Sequence, residues 1–121
     1  MDIDVKVNSI FDENYCLIMP KNSETIFVFW KFSNYKISQF KNGEYLKKIS
    51  IKALDESDKN IAEITLDYDM AKCYLMLPRY VENVFVRLYA RSKNGEETIS
   101  CSNKIKLSYE KEMKKEYTYK R

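Results

Sequence analysis

Residues 82–107, ENVFVRLYARSKNGEETISCSNKIKL, constrain this chain more than any other stretch. Val84, Val86, Leu88 and Ala90 alternate with Phe85, Arg87, Tyr89 and Arg91. Past Asn94-Gly95, Ile99, Cys101, Ile105 and Leu107 alternate with Ser100, Ser102, Lys104 and Lys106. A period of two puts successive side chains on opposite faces of a pleated strand, so one set faces a core and the other faces out. Asn-Gly tolerates the positive φ that a tight hairpin needs. The stretch therefore predicts a β-hairpin whose outward side chains can be read off directly. No comparable signal in the chain identifies a reaction.

The remaining segments fit the same class. Residues 25–32, TIFVFWKF, predict a central strand, with Ile26, Val28, Trp30 and Phe32 inward and Phe27 and Phe29 outward. Segments 46–54, 61–68 and 72–77 read as strands, the last with Cys73, Leu75 and Leu77 inward. Residues 15–19 read as a strand that stops at Pro20, and residues 2–7 as a short edge strand. In the 33–45 connection, Ser33 can cap a short helix within 33–42 that docks through Ile37 and Phe40 and closes at Asn42-Gly43. The sum is an all-β chain: an antiparallel immunoglobulin-like β-sandwich of seven to eight strands, one domain over residues 1–107. Residues 108–121 change character. Tyr109, Met113 and Tyr117 form one helical stripe, which fits a C-terminal helix; a frayed charged terminus fits as well.

Composition narrows the chemistry. The chain has 121 residues, enough for a core of its own. It has no histidine, which removes the commonest general base and every Ser-His or Cys-His arrangement. Two glycines leave no phosphate-cradling loop. Cys16, Cys73 and Cys101 lack metal or redox spacing, and Cys73 and Cys101 read as reduced, buried thiols. The acidic turn at 55–58 lacks the glycine and terminal glutamate of a calcium loop. We expect no catalytic residue, no metal and no cofactor, hence not an enzyme. MDIDVKVNSI carries no basic-then-apolar leader, and no run approaches the ~20 apolar residues of a membrane span. We expect a cytoplasmic protein with no membrane partner.

Two resemblances bear on this. The final hairpin resembles that of fibronectin type III and other immunoglobulin-like domains, a likeness of architecture. More specifically, Leu17-Ile18-Met19-Pro20, Phe27-Val28-Phe29-Trp30, Ile49 to Asp55, Tyr74-Leu75-Met76-Leu77-Pro78, Gly95 and Ser102-Asn103 stand in an order similar to a bacterial family, domain of unknown function 4912, over roughly residues 15–107. Phe29 stands where the family pattern has tyrosine, so a hydroxyl is absent there. The resemblance implies a sandwich and no established activity. The resemblance also implies a lead toward a glucan, since some members keep company with glucan-branching enzymes.

Two surfaces could carry function. If the third, sixth and seventh strands share a sheet, its outer face presents Lys48, Lys52, Phe85, Arg87, Tyr89, Arg91, Lys104 and Lys106, with no acid at those positions. Such a face could bind an acidic protein, with Arg87 and Tyr89 as anchors, or a polyanion; it could equally be a solvated face. On the other sheet, Phe27, Phe29, Tyr74 and Met76 would form an apolar patch. The 33–45 helix, the 2–7 strand or the tail stripe could cover it; uncovered, it would be a homodimer or partner interface. Trp30 reads as a core anchor rather than a sugar platform. A protein-interaction module is the first reading. An accessory glucan-binding module is the alternative, with a nucleic-acid or polyanion binder behind it.

Overall fold

The computed structural model describes residues 12–108. The expected 2–7 strand and the 109–121 tail lie outside the described residues. Two antiparallel sheets face each other across one core. The first has the order β1-β2-β5, built from Tyr15–Asn22, Thr25–Lys31 and Lys72–Met76. The second has the order β4-β3-β6-β7, built from Asn60–Asp67, Lys48–Leu54, Asn83–Ser92 and Gly95–Cys101. A short β8, Ile105–Lys106, also pairs with β6. The third, sixth and seventh strands do share a sheet. The chain is an all-β sandwich with one short helix.

The core follows from the alternation. Ile26, Val28 and Trp30 of β2 meet Ile49, Ile51 and Ala53 of β3 and Val84, Val86, Leu88 and Ala90 of β6 in one buried cluster. Trp30 is buried, and its indole N–H donates to the Tyr68 carbonyl at 2.9 Å. That satisfies the one polar atom a buried tryptophan brings. Helix α1, Asn34–Lys41, begins where the Ser33 Oγ accepts from the Lys36 N–H at 3.1 Å. It ends at Gly43, whose φ of +88° suits a residue without a Cβ. Its one fully buried residue, Phe40, stacks on Tyr68 with centroids 4.5 Å apart and also touches Phe32 and Tyr45. The helix therefore closes one end of the sandwich and does not lie across a sheet face.

Three local expectations are corrected. Strand β1 runs through Pro20, which opposes Ile26, and the turn falls at Ser23-Glu24. β1 is an edge strand, so the missing proline N–H costs no ladder bond. In the final hairpin Ser92 pairs with Gly95, so Lys93 and Asn94 are the loop and Gly95, at φ +112°, opens β7. The second strand is not continuous. A bulge places Ser100 opposite Leu88 and Thr98 opposite Tyr89, with Ile99 as the extra residue. The bulge turns Cys101 outward, opposite Arg87, and Cys101 is exposed rather than buried. The buried thiol is Cys16.

Candidate functional site

The structure gathers the expected cations on the outer face of the five-stranded sheet and supplies four of them with acids. Register sets Asp67 opposite Lys48, Glu63 opposite Lys52 and Glu96 opposite Arg91. Lys48 pairs with Asp67 at 3.1 Å, Lys52 with Glu96 at 3.0 Å, and Arg91 with Glu96 at 3.2 Å. At the far end Lys106 pairs with Glu82 at 3.1 Å. The Lys52 hydrogen bond holds the Glu96 carboxyl below its ordinary range, and the same bond raises Lys52. Arg87 donates to the Tyr89 hydroxyl and to Cys101 Sγ, both at 3.4 Å, which strengthens its hold on its proton. Phe85 is 7% exposed, opposite buried Leu54, with the Arg87 and Lys104 head groups each 5.5 Å from its ring centroid. The expectation of an acid-free basic face with Phe85 exposed is thus corrected. Cross-strand pairing from β4 and β7 puts carboxylates on the same face, so the two signs interleave.

The outer face of the three-stranded sheet is different. Cross-strand neighbours are Leu17 with Phe29, Met19 with Phe27, Phe27 with Tyr74, and Thr25 with Met76. Phe27 lies 5.6 Å from Phe29 and 5.1 Å from Tyr74, centroid to centroid. The flanks are open to solvent: Met19 is 50% exposed, Tyr74 55% and Met76 75%. Tyr15 and Leu17 join them, so five of the eight large apolar side chains exposed among the described residues share this face. The expected patch of Phe27, Phe29, Tyr74 and Met76 is assembled as read. The β1 side chains Tyr15, Leu17 and Met19 were missed, although strand parity from Cys16 and Ile18 would have placed them.

The charged side chains at outward positions of its strands are lysines. Lys21 Nζ sits 4.5 Å from the Tyr74 ring centroid. Lys72 stands opposite Phe29 and Lys31 opposite Tyr15. No outward position of β1, β2 or β5 carries a carboxylate.

The Ser102-Asn103 pair has a structural role. Ser102 N–H donates to the Val86 carbonyl at 2.8 Å, and Ser102 Oγ accepts from the Val86 N–H at 2.8 Å. The Asn103 side chain accepts from the Ile18 N–H at 2.9 Å and donates to the Ile18 carbonyl at 3.2 Å. One amide thus occupies the open edge of β1 and ties the first sheet to the second. Elsewhere, a cleft of about 720 Å³ lies between α1 and the β6–β7 turn, lined in part by Gln39, Tyr45, Arg91 and Glu97. Tyr45 OH donates to Glu97 at 2.7 Å and accepts from Lys36 at 3.0 Å, so these groups serve one another. Among the described residues no cluster of three metal-ligating side chains occurs. No helix of the described residues is long and apolar enough to cross a membrane.

Fold and surfaces define a two-sheet β-sandwich domain. The family described as "Domain of unknown function (DUF4912)" matches residues 11–116, and the chain belongs to it. No curated protein matches. Among solved structures the chain is similar to one described as "Myokine structure", at 12% identity and a TM-score of 0.48, covering 80% of this chain and 98% of that chain.

Proposed function

We propose that this domain is a non-catalytic, cytoplasmic interaction module whose docking surface is the outer face of the β1-β2-β5 sheet. The observation that carries the reading is the concentration of exposed apolar side chains, Leu17, Met19, Tyr74 and Met76 around Phe27 and Phe29, on that one face. Exposed apolar clusters of this kind mark contact surfaces, because water gains by their burial. A reducing compartment suits the three free thiols. The five-stranded sheet is the weaker candidate, since Lys48, Lys52, Arg91 and Lys106 already hold carboxylates and desolvating satisfied pairs is costly.

The test is site-specific photo-crosslinking in the cells the protein comes from. A benzoyl-phenylalanine is placed at Met76, and in a second chain at Thr65 on the opposite outer face. The reading expects a discrete protein adduct from position 76 that position 65 does not form. Equal adducts at both positions, or none at 76, would remove the face from consideration.

A further inference from the structure

We infer that the outer edge of β4 is a second binding site, which takes an extended segment of a partner protein by strand addition, with a lysine or arginine of that segment facing Glu63. The site lies on the other sheet from the β1-β2-β5 face and does not depend on it. A sheet edge exposes a row of backbone donors and acceptors, and folded chains blunt such edges with short strands, prolines, bulges or covering groups. Three of the four edges here carry such a device. The β1 edge holds Pro20 and is occupied at Ile18 by the Asn103 amide. β5 is five residues long. β7 is broken by the bulge at Ile99. β4 is eight residues long, NIAEITLD, with no proline, glycine or lysine, and its register with β3 is unbroken from Asp67 to Ala62. No described strand pairs with its other side.

The ladder sets what that edge offers. Tyr68 N–H donates to the Lys47 carbonyl at 2.8 Å, just past the Lys48–Asp67 pair. Backbone groups alternate in direction along an antiparallel strand, so Leu66, Ile64 and Ala62 also turn theirs to β3. Glu63, Thr65 and Asp67 turn theirs to the open edge. Inward, Ala62, Ile64 and Leu66 are only half-buried, while their β3 partners Ala53, Ile51 and Ile49 are fully buried. An added strand would pair with the free backbone groups and cover those side chains. Outward, Asp67 already holds Lys48. Glu63 faces Lys52, but Lys52 is bonded to Glu96, so Glu63 has no ion pair and accepts from the Asn60 amide at 3.3 Å. A cation directly opposite Glu63 on the added strand would supply that pair. Facing β4 antiparallel, the segment reads apolar, polar, apolar, basic, apolar from its N-terminus. A second copy is the poorer occupant. Antiparallel β4–β4 pairing centred on residue 63 sets Glu63 against Glu63, centred on 65 it sets Glu63 against Asp67, and centred on 64 it leaves Glu63 facing Thr65.

The probe is the end-blocked peptide Ser-Val-Thr-Val-Lys-Val-Ser, added to the isotope-labelled full chain, with amide hydrogen exchange read by NMR. The amides of Glu63, Thr65 and Asp67 should exchange quickly in the free chain. With the peptide at about ten times its Kd they should slow about tenfold, while those of Ala62, Ile64 and Leu66 change little. A peptide with glutamate in place of lysine should bind about fivefold more weakly, and a Glu63→Lys chain should reverse that order. N-methylation of the peptide at Thr and Lys, whose amides face β4 in this register, should abolish the protection. So should Thr65→Pro, in a chain shown to be folded by the fluorescence of buried Trp30. Undiminished protection by the N-methylated peptide, or shifts confined to β1, β2 and β5, would overturn strand addition. Equal binding of the lysine and glutamate peptides would overturn the charge assignment. Edge amides already slow in the dilute free chain would mean that the chain covers its own edge, and slowing with protein concentration alone would make the occupant a second copy. Either result overturns the proposal, as does failure of the peptide to slow these amides at any concentration up to its solubility.

Discussion

Replacing Asn103 by alanine should unpick the seam between the sheets. The Asn103 amide makes two hydrogen bonds to one residue, at 2.9 and 3.2 Å, across a sequence separation of 85. A net hydrogen bond contributes about 1 kcal/mol, and a polar group left dry and unpaired costs about 1–3 kcal/mol. Ile18 is 2% exposed, so water cannot fully replace the lost partners. The sum is a loss of about 2–3 kcal/mol. With a urea slope of roughly 1.5 kcal/mol/M, the midpoint should fall by ~1–2 M at unchanged slope. Trp30, the single tryptophan and buried in the core, reports the transition by fluorescence. Asn103→Asp keeps the acceptor for the Ile18 N–H but sets an oxygen against the Ile18 carbonyl, so it should not rescue. Hydrogen exchange at the Ile18 amide should accelerate in Asn103→Ala, where its acceptor is gone. A loss under ~0.5 kcal/mol, or full stability in Asn103→Asp, would refute the reasoning, because charge-assisted or solvent bonds would then be doing what the amide was said to do.

Three further outcomes follow from the packing and the charges. Phe40→Ala removes a fully buried ring stacked on Tyr68 and should cost about 3–5 kcal/mol in the same urea assay; a smaller loss would mean the helix closes nothing. Glu96 titrates below its ordinary range when folded, so its pairs stabilise the fold above the unfolded carboxyl value and that contribution fades as acid drives the pH down through the folded value. Glu96→Gln should therefore lose at most about 1 kcal/mol at neutral pH and show a flatter acid limb, read from melts between neutral pH and pH 3. Burial raises the Cys16 thiol to about 12 and the Cys73 thiol to about 11, while Cys101 is exposed. Iodoacetamide at pH 8 should alkylate Cys101 first, with mass spectrometry of the peptides as the readout; early labelling of Cys16 would contradict the placement.

The two-sheet architecture was legible because strand alternation is a local property that both sheets obey. Ile26, Val28 and Trp30, and Val84, Val86, Leu88 and Ala90, face the core as their parity dictates. The Ser33 cap and Phe40 anchor were legible for the same reason: a cap and an apolar helix position act within one turn. What was not legible depends on register between strands. The acids opposite Lys48, Lys52 and Arg91 come from β4 and β7, and only pairing brings them there. An Asn94-Gly95 loop would set Glu96 against Lys93; the loop residues are Lys93 and Asn94, one earlier than Asn-Gly suggests, and that register sets Glu96 against Arg91. The bulge at Ile99 reverses parity without a glycine to announce it, which is why Cys101 was placed inside. Pro20 hid half of the apolar face. A proline reads as a strand's end, yet on an edge strand it is tolerated, and Tyr15, Leu17 and Met19 complete the surface that Phe27 and Tyr74 begin.

The central claim, that the β1-β2-β5 face is open for a partner, is tested most directly by methionine oxidation in the full chain. Met19 is 50% exposed and Met76 75% exposed on that face, while Met70, at 51%, lies in the 3-10 turn Tyr68–Met70 and not on a strand of that sheet. Dilute hydrogen peroxide should oxidise all three at comparable rates, with Met76 the fastest, as resolved by peptide mass spectrometry over time. Selective protection of Met19 and Met76 relative to Met70 would contradict the account, because the chain would then be covering the face itself.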